Sequence, residues 1–212
     1  MRLVFQALAL LLASNAFAAP LELRLVGADG AAIAGTVVLL RSIDAARPVA
    51  HPVDAQIDQV DRQFVPNVLV VPTGSKIVFP NSDSVRHQVY SFSPAKRFQL
   101  PLYRGTPYAP VDFDHSGVVT LGCNIHDQMR AYVFVVDAQY YGRTDSGGAF
   151  RVPDVQAGIY TVQIWHPLAR DTRPVIDQQI TVVAPETRLT LRLGAPLRLR
   201  PESQVPANWD AY

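Results

Sequence analysis

Apolar and polar residues exchange places along this chain in short, closely spaced runs. Alternating or β-rich stretches recur: "LELRLVG" (21–27), "GTVVLLRS" (35–42), "FVPNVLVVP" (64–72), "SKIVFPN" (75–81), "HQVYSF" (87–92), "GVVTLGC" (117–123), "AYVFVVD" (131–137), "GAFRVPD" (148–154), "IYTVQIW" (159–165), "QQITVV" (178–183) and "TRLTLRL" (187–193). Val, Ile, Tyr, Phe and Thr dominate them, the side chains that fit a pleated, half-buried surface. Turn formers such as "ADG", "PTGS", "NSDS", "DHSG" and "DSGG" punctuate the runs. No long segment places apolar residues at helical spacing with caps. The pattern predicts an all-β protein built from sandwiches or barrels. Two stretches read as looser. Residues 44–56 are rich in Pro and Ala and read as a linker. Residues 93–114 read as an irregular loop with one or two short strand pieces. The end, residues 196–212, reads as a polar tail.

The first residues break the pattern. Met1-Arg2 precedes the apolar run "LVFQALALLLA", which is too short to span a bilayer, and "NAFAA" follows with Ala16-Phe17-Ala18 as an A-x-A site. Residues 1–18 are expected to be a secretory signal peptide cut after Ala18, with Ala19 the second choice and a retained anchor the alternative. No other apolar run is long enough for a membrane span, so a soluble, exported protein of the periplasm is expected.

Composition adds little until sulfur is counted. The 212 residues are 49% hydrophobic and 17% charged with a net charge of +1, enough to bury a core. No basic stripe tracks a phosphate backbone, so nucleic acid is not an expected partner. The chain has one cysteine, and Met129 is its only methionine besides Met1. Exported proteins use cysteines in pairs, and an odd thiol calls for an explanation. A buried inert thiol is one. A metal-bound thiolate is another.

The location of that sulfur favours the metal. "GCNIHDQM" sets Cys123, His126 and Met129 at equal spacing directly after a strand. Thiolate and imidazole bind copper and zinc well. A thioether is a poor zinc ligand and suits copper as a long axial donor. One Cys, two His and one Met constitute a blue-copper set, so a second His is needed. His87 enters the strand "HQVYSF" after a turn and can lie beside the strand that delivers Cys123. His51 sits in the Pro-rich linker, His115 in the "DHSG" turn at the far end of the Cys123 strand, and His166 in "WHP" beyond it; these three read as ordinary residues.

At this point the chain resembles a family. "QFVPNVLVVPTGSKIVFPN", "NSDSVRHQV" and "GVVTLGCNIHDQMRAYVFV" are similar to the opening strands, the first-ligand turn and the ligand loop of the cupredoxins, the plastocyanin, azurin and amicyanin group. The short loop is most like amicyanin's, and the whole chain resembles exported bacterial proteins labelled methylamine utilization or plastocyanin-like. The resemblance implies a Greek-key cupredoxin domain over residues 54–136. It implies one type 1 copper ion with His87, Cys123 and His126 equatorial and Met129 axial. It implies single-electron transfer through the edge of His126 with transient redox protein partners, and no enzyme activity. Copper handling by a carrier or sensor is the alternative. Gln88 stands where the family commonly has an Asn that braces the Cys loop, and Asn81 is considered as its substitute. Asp127 puts a carboxylate beside the ligand His and favours Cu(II).

Residues 137–195 read differently. Thr144-Asp145, Gly148, Phe150, then Gly158, Tyr160 and Val162 resemble the carboxypeptidase regulatory-like, or prealbumin-like, β-sandwich. Residues 21–42 resemble that family's first two strands. One discontinuous sandwich, 21–42 with 137–195, into which the cupredoxin domain is inserted, is expected; the alternative is that residues 21–42 extend the cupredoxin sheet.

Overall fold

The computed structural model describes residues 18–44, 46–166, 169 and 175–193. The expected signal peptide, except Ala18, and the expected polar tail lie outside these residues. Among the described residues the regular structure is all strand. In chain order the first half runs β1 (Ala18–Val26), β2 (Val37–Ser42), β3 (Asp54–Gln56), β4 (Asp58–Val60), β5 (Gln63–Val65), β6 (Val68–Pro72), β7 (Ser75–Val78) and β8 (His87–Ser93). The second half runs β9 (Lys96–Tyr103), β10 (Val111–Phe113), β11 (Gly117–Cys123), β12 (His126–Val136), β13 (Tyr140–Arg143), β14 (Ala149–Gln156), β15 (Gly158–Trp165), β16 (Ile176–Val182) and β17 (Thr187–Arg192). No helix among the described residues is long and apolar enough to cross a membrane.

The strands form two pairs of larger sheets. One pair is β6-β12-β11-β8-β9 and β10-β7-β3. Their facing side chains enclose a core that includes Ile57, Phe64, Ile77, Phe113, Val119 and Leu121. The other pair is β14-β1-β17 and β13-β2-β15-β16, around Leu23, Leu40, Tyr160, Val162 and Leu191. The first two strands of the chain thus pair only with strands from after residue 136. β1 runs antiparallel to β14 and parallel to β17, and β2 lies between β13 and β15.

A third apolar cluster joins the two halves. It comprises Val37, Val68, Tyr132, Phe134, Val136 and Trp165. β12 is therefore covered on both faces. Ala131, Val133 and Val135 point into one core, and Tyr132, Phe134 and Val136 into the junction. A strand buried on both sides needs an unbroken apolar run, and "AYVFVV" is one.

Residues 93–114 depart from the loop expected of them. β9 is an eight-residue strand paired with β8. Its Phe98 and Leu100 pack on the core at alternate positions, as the pleat requires. Pro101 lacks a backbone N–H donor. It is accommodated because β9 is an edge strand with a bulge at that point, between the His87–Tyr103 and Val89–Leu100 pairs. The linker at 44–56 likewise ends in a strand, β3, which runs parallel to β7.

Candidate metal centre

The tip of the five-stranded sheet gathers the chain's sulfur and two of its histidines. Two strand irregularities shape it. Cys123 pairs with His126 across the two-residue turn Asn124-Ile125, yet Gly122 pairs with Arg130. Asp127, Gln128 and Met129 are therefore extra residues on β12, a bulge that re-aims side chains next to the turn. Met129 turns inward from it and is 2% exposed, in the same core as Cys123. The β8–β11 contact is close because Gly122 lies opposite Tyr90. A Cβ at Gly122 would sit 2.8 Å from Tyr90 Cζ, so only glycine lets the ring fold across. That contact sets the strand bearing His87 beside the strand bearing Cys123.

The donor atoms converge. His87 Nδ1 and His126 Nδ1 are 3.1 Å apart, and Cys123 Sγ lies 3.9 Å from the first and 4.0 Å from the second. The point equidistant from these three atoms is about 2.1 Å from each, within the roughly 2.0 to 2.3 Å of imidazole and thiolate bonds to such metals. His87 and Cys123 are buried, and His126 is half-buried at the surface. The donor set, one soft sulfur and two imidazoles with a buried thioether alongside, suits copper better than magnesium, calcium or manganese. The same three residues form the one His/Cys/Asp/Glu group with metal-binding spacing among the described residues. Cys123 and Met129 also line a shared groove with Tyr90, Phe92, Asp127 and Arg130.

Charge around the site is arranged to leave the imidazole nitrogens available. His87 Nε2 is 2.9 Å from Asp83 Oδ2. That hydrogen bond, with a second from the Arg62 amide, holds the Asp83 carboxyl down at about 2. An ionised carboxylate only accepts, so Nε2 carries a proton and the ring turns its Nδ1 to the centre. Burial, then the neighbouring His87 and Arg62, push His126 below the usual imidazole range. It is thus neutral, as a ligand must be, at neutral pH.

The structure brings His87, Cys123, His126 and Met129 to one end of one sandwich. The other histidines lie elsewhere. His51 and His115 are exposed, and His115 pairs with Asp114 at the opposite end of β11. Asn81 does not brace the Cys loop. Its amide donates to Val85 O at 3.0 Å and Tyr103 O at 2.7 Å, tying its own turn to β9. Asp83, by contrast, drew no attention in the sequence because it sits in an "NSDS" turn, where Asp is commonplace.

His166 is buried in the second sandwich at 4% exposure, and burial, then Arg143, lower its pKa to about 4. Between its ordinary 6.5 and about 4, the unfolded chain binds a proton that the folded chain refuses. Stability is therefore full above 6.5 and falls with pH, by about 1.4 kcal/mol for each pH unit. Urea unfolding of the metal-free protein across this range will show the decline, and His166→Gln will flatten it.

A family model described as polysaccharide lyase family 4, domain II, matches residues 113–189, spanning β11 to β17. No curated protein matches the chain. Among solved structures, it is similar to a purple cupredoxin from Nitrosopumilus maritimus, with 25% identity over 39% of this chain and 100% of that one, TM-score 0.35. A copper-containing nitrite reductase from Thermus scotoductus SA-01 matches at 20% identity over 45% of this chain and 25% of the other, TM-score 0.37. A reduced Cu(I) amicyanin variant matches at 19% identity over 47% of this chain and 98% of the other, TM-score 0.35.

Proposed function

We propose that this chain is an exported copper protein that carries single electrons, with one type 1 ion that His87, Cys123, His126 and Met129 would hold. The observation that carries this reading is the triangle of His87 Nδ1, His126 Nδ1 and Cys123 Sγ. A copper ion bound there would supply a Cu(II)/Cu(I) couple. The protein residues do the rest. Cys123 and His87, both buried, keep water from one side. The bulge after His126 turns Met129 into the core that Cys123 also joins, which supports it as the fourth donor. With every position filled by protein, a substrate has nowhere to bind, and the site exchanges electrons instead of catalysing. His126 is the half-buried ligand, so its outer edge is the route to weakly held redox partners. β1 and β2, paired with β13 to β17, form in this reading one sandwich that braces the inserted metal domain, residues 54–136.

Titration of the mature protein with Cu(II) tests this. The expected result is one equivalent bound, an intense visible thiolate-to-copper band, and reversible cycling with mild reductant. A colourless protein that prefers zinc overturns the copper reading. Ready loss of copper to a modest chelator overturns electron carriage in favour of a carrier.

A further inference from the structure

The hairpin β4–β5 is a short element with an unusual turn. Val60 pairs with Gln63 across two residues, Asp61 and Arg62, whose φ values are 50° and 59°. A two-residue turn of this hand wants φ above zero at both positions and is normally filled by Asn-Gly or Asp-Gly. A non-glycine residue at Arg62 is strained, and such strain persists where the surroundings over-determine it. Here they do. The Arg62 amide donates to Asp83 Oδ2 at 2.8 Å, the same oxygen that meets His87 Nε2 at 2.9 Å. Asp83 Oδ1 accepts from the Ser84 amide at 2.7 Å, and the Asp83 amide donates to Asn81 Oδ1 at 3.0 Å. The carboxylate is thus held on both oxygens and through its own backbone, and is aimed at the far side of a ligand ring.

We propose that Asp83, clamped by the backbone of the Asp61-Arg62 turn, is the positioning residue of the metal centre: it fixes His87 as the Nε2–H tautomer and strengthens its Nδ1 as a donor. This rests on the copper reading for its redox consequence, though not for the tautomer. A carboxylate on the far nitrogen makes an imidazole more basic and favours the higher-charged metal state. Loss of that charge weakens Cu(II) more than Cu(I).

Asp83→Asn keeps the side-chain shape and removes the charge. In the metal-free protein, nitrogen-15 NMR of His87 should show the Nε2–H form in the natural chain and a mixture with Nδ1–H in the variant. In the copper-loaded protein, Cu(II) affinity should fall by roughly 10–100-fold. The midpoint potential should rise by about 59 mV for each tenfold of that loss not shared by Cu(I). Arg62→Gly retains the amide and adopts the same φ, so the tautomer should match the natural chain. An Asp83→Asn variant with unchanged tautomer and unchanged potential overturns the proposal, as does an Arg62→Gly variant whose tautomer shifts. If the natural chain takes up no copper, the functional reading fails while the NMR comparison still decides the role of Asp83.

Discussion

Cys123→Ser should erase the visible colour of the copper-loaded protein and leave the fold standing. The sulfur lies at the end of β11 at 2% exposure, packed with Leu121, Val119 and Met129. Serine is close in size, so packing is nearly kept; burying its hydroxyl costs about 1–3 kcal/mol. The chemistry changes far more. A serine hydroxyl stays protonated where a cysteine thiol readily gives up its proton and binds a soft metal as the thiolate. The charge-transfer band vanishes because the sulfur orbital that donates the electron is gone. Affinity for Cu(II) should fall by well over the roughly 100-fold that changes behind a ligand produce. Copper titration with visible spectroscopy, beside urea unfolding of the metal-free variant, separates the two effects. A retained band means that Cys123 is not the sulfur ligand. A variant that fails to fold points to a packing role for the thiol instead.

Scarcity made this centre legible in the sequence. A chain with one cysteine and one internal methionine, both within three residues of a histidine, leaves few other uses for that sulfur. His87 was legible too, because a strand begins at it after a turn. What lay behind the ligands was not. Asp83 reaches His87 from only four residues away, but through a turn whose φ and ψ no periodicity announces. The Asp61-Arg62 turn uses neither Asn nor Gly at its second position, so its hairpin went unmarked. β9 falls within the stretch read as an irregular loop, although Phe98 and Leu100 alternate along it. The run "AYVFVV" carried a further signal: six apolar residues in sequence mark a strand with no solvent face. That second face belongs to the junction between the sandwiches.

Trp165→Ala tests that junction and should be the most destabilising single change outside the metal site. Trp165 is 6% exposed at the end of β15, and its ring meets Phe134 at 4.3 Å and 66° and Tyr132 at 6.4 Å and 60°. Phe134 and Tyr132 stand on β12, the strand that begins at His126. The indole therefore packs the second sandwich directly on the sheet that carries Cys123 and His126. Truncation removes that contact and leaves a void between two sheets that cannot close, each being held by its own core. A loss of about 3–5 kcal/mol is expected from such a cavity. Part of it belongs to the edge-to-face pair with Phe134, worth about 0.5–1.5 kcal/mol beyond burial, and a double-mutant cycle with Phe134→Ala isolates that part. The cavity has a second consequence. If the junction is what makes the two sandwiches unfold together, removing it should split the transition. Urea unfolding of the metal-free variant, followed by far-ultraviolet circular dichroism and by tyrosine environment, should give midpoints that no longer coincide, whereas those of the natural chain should coincide. A loss under about 1 kcal/mol with coincident probes would mean that contacts other than this aromatic cluster hold the five-stranded sheet against the second sandwich.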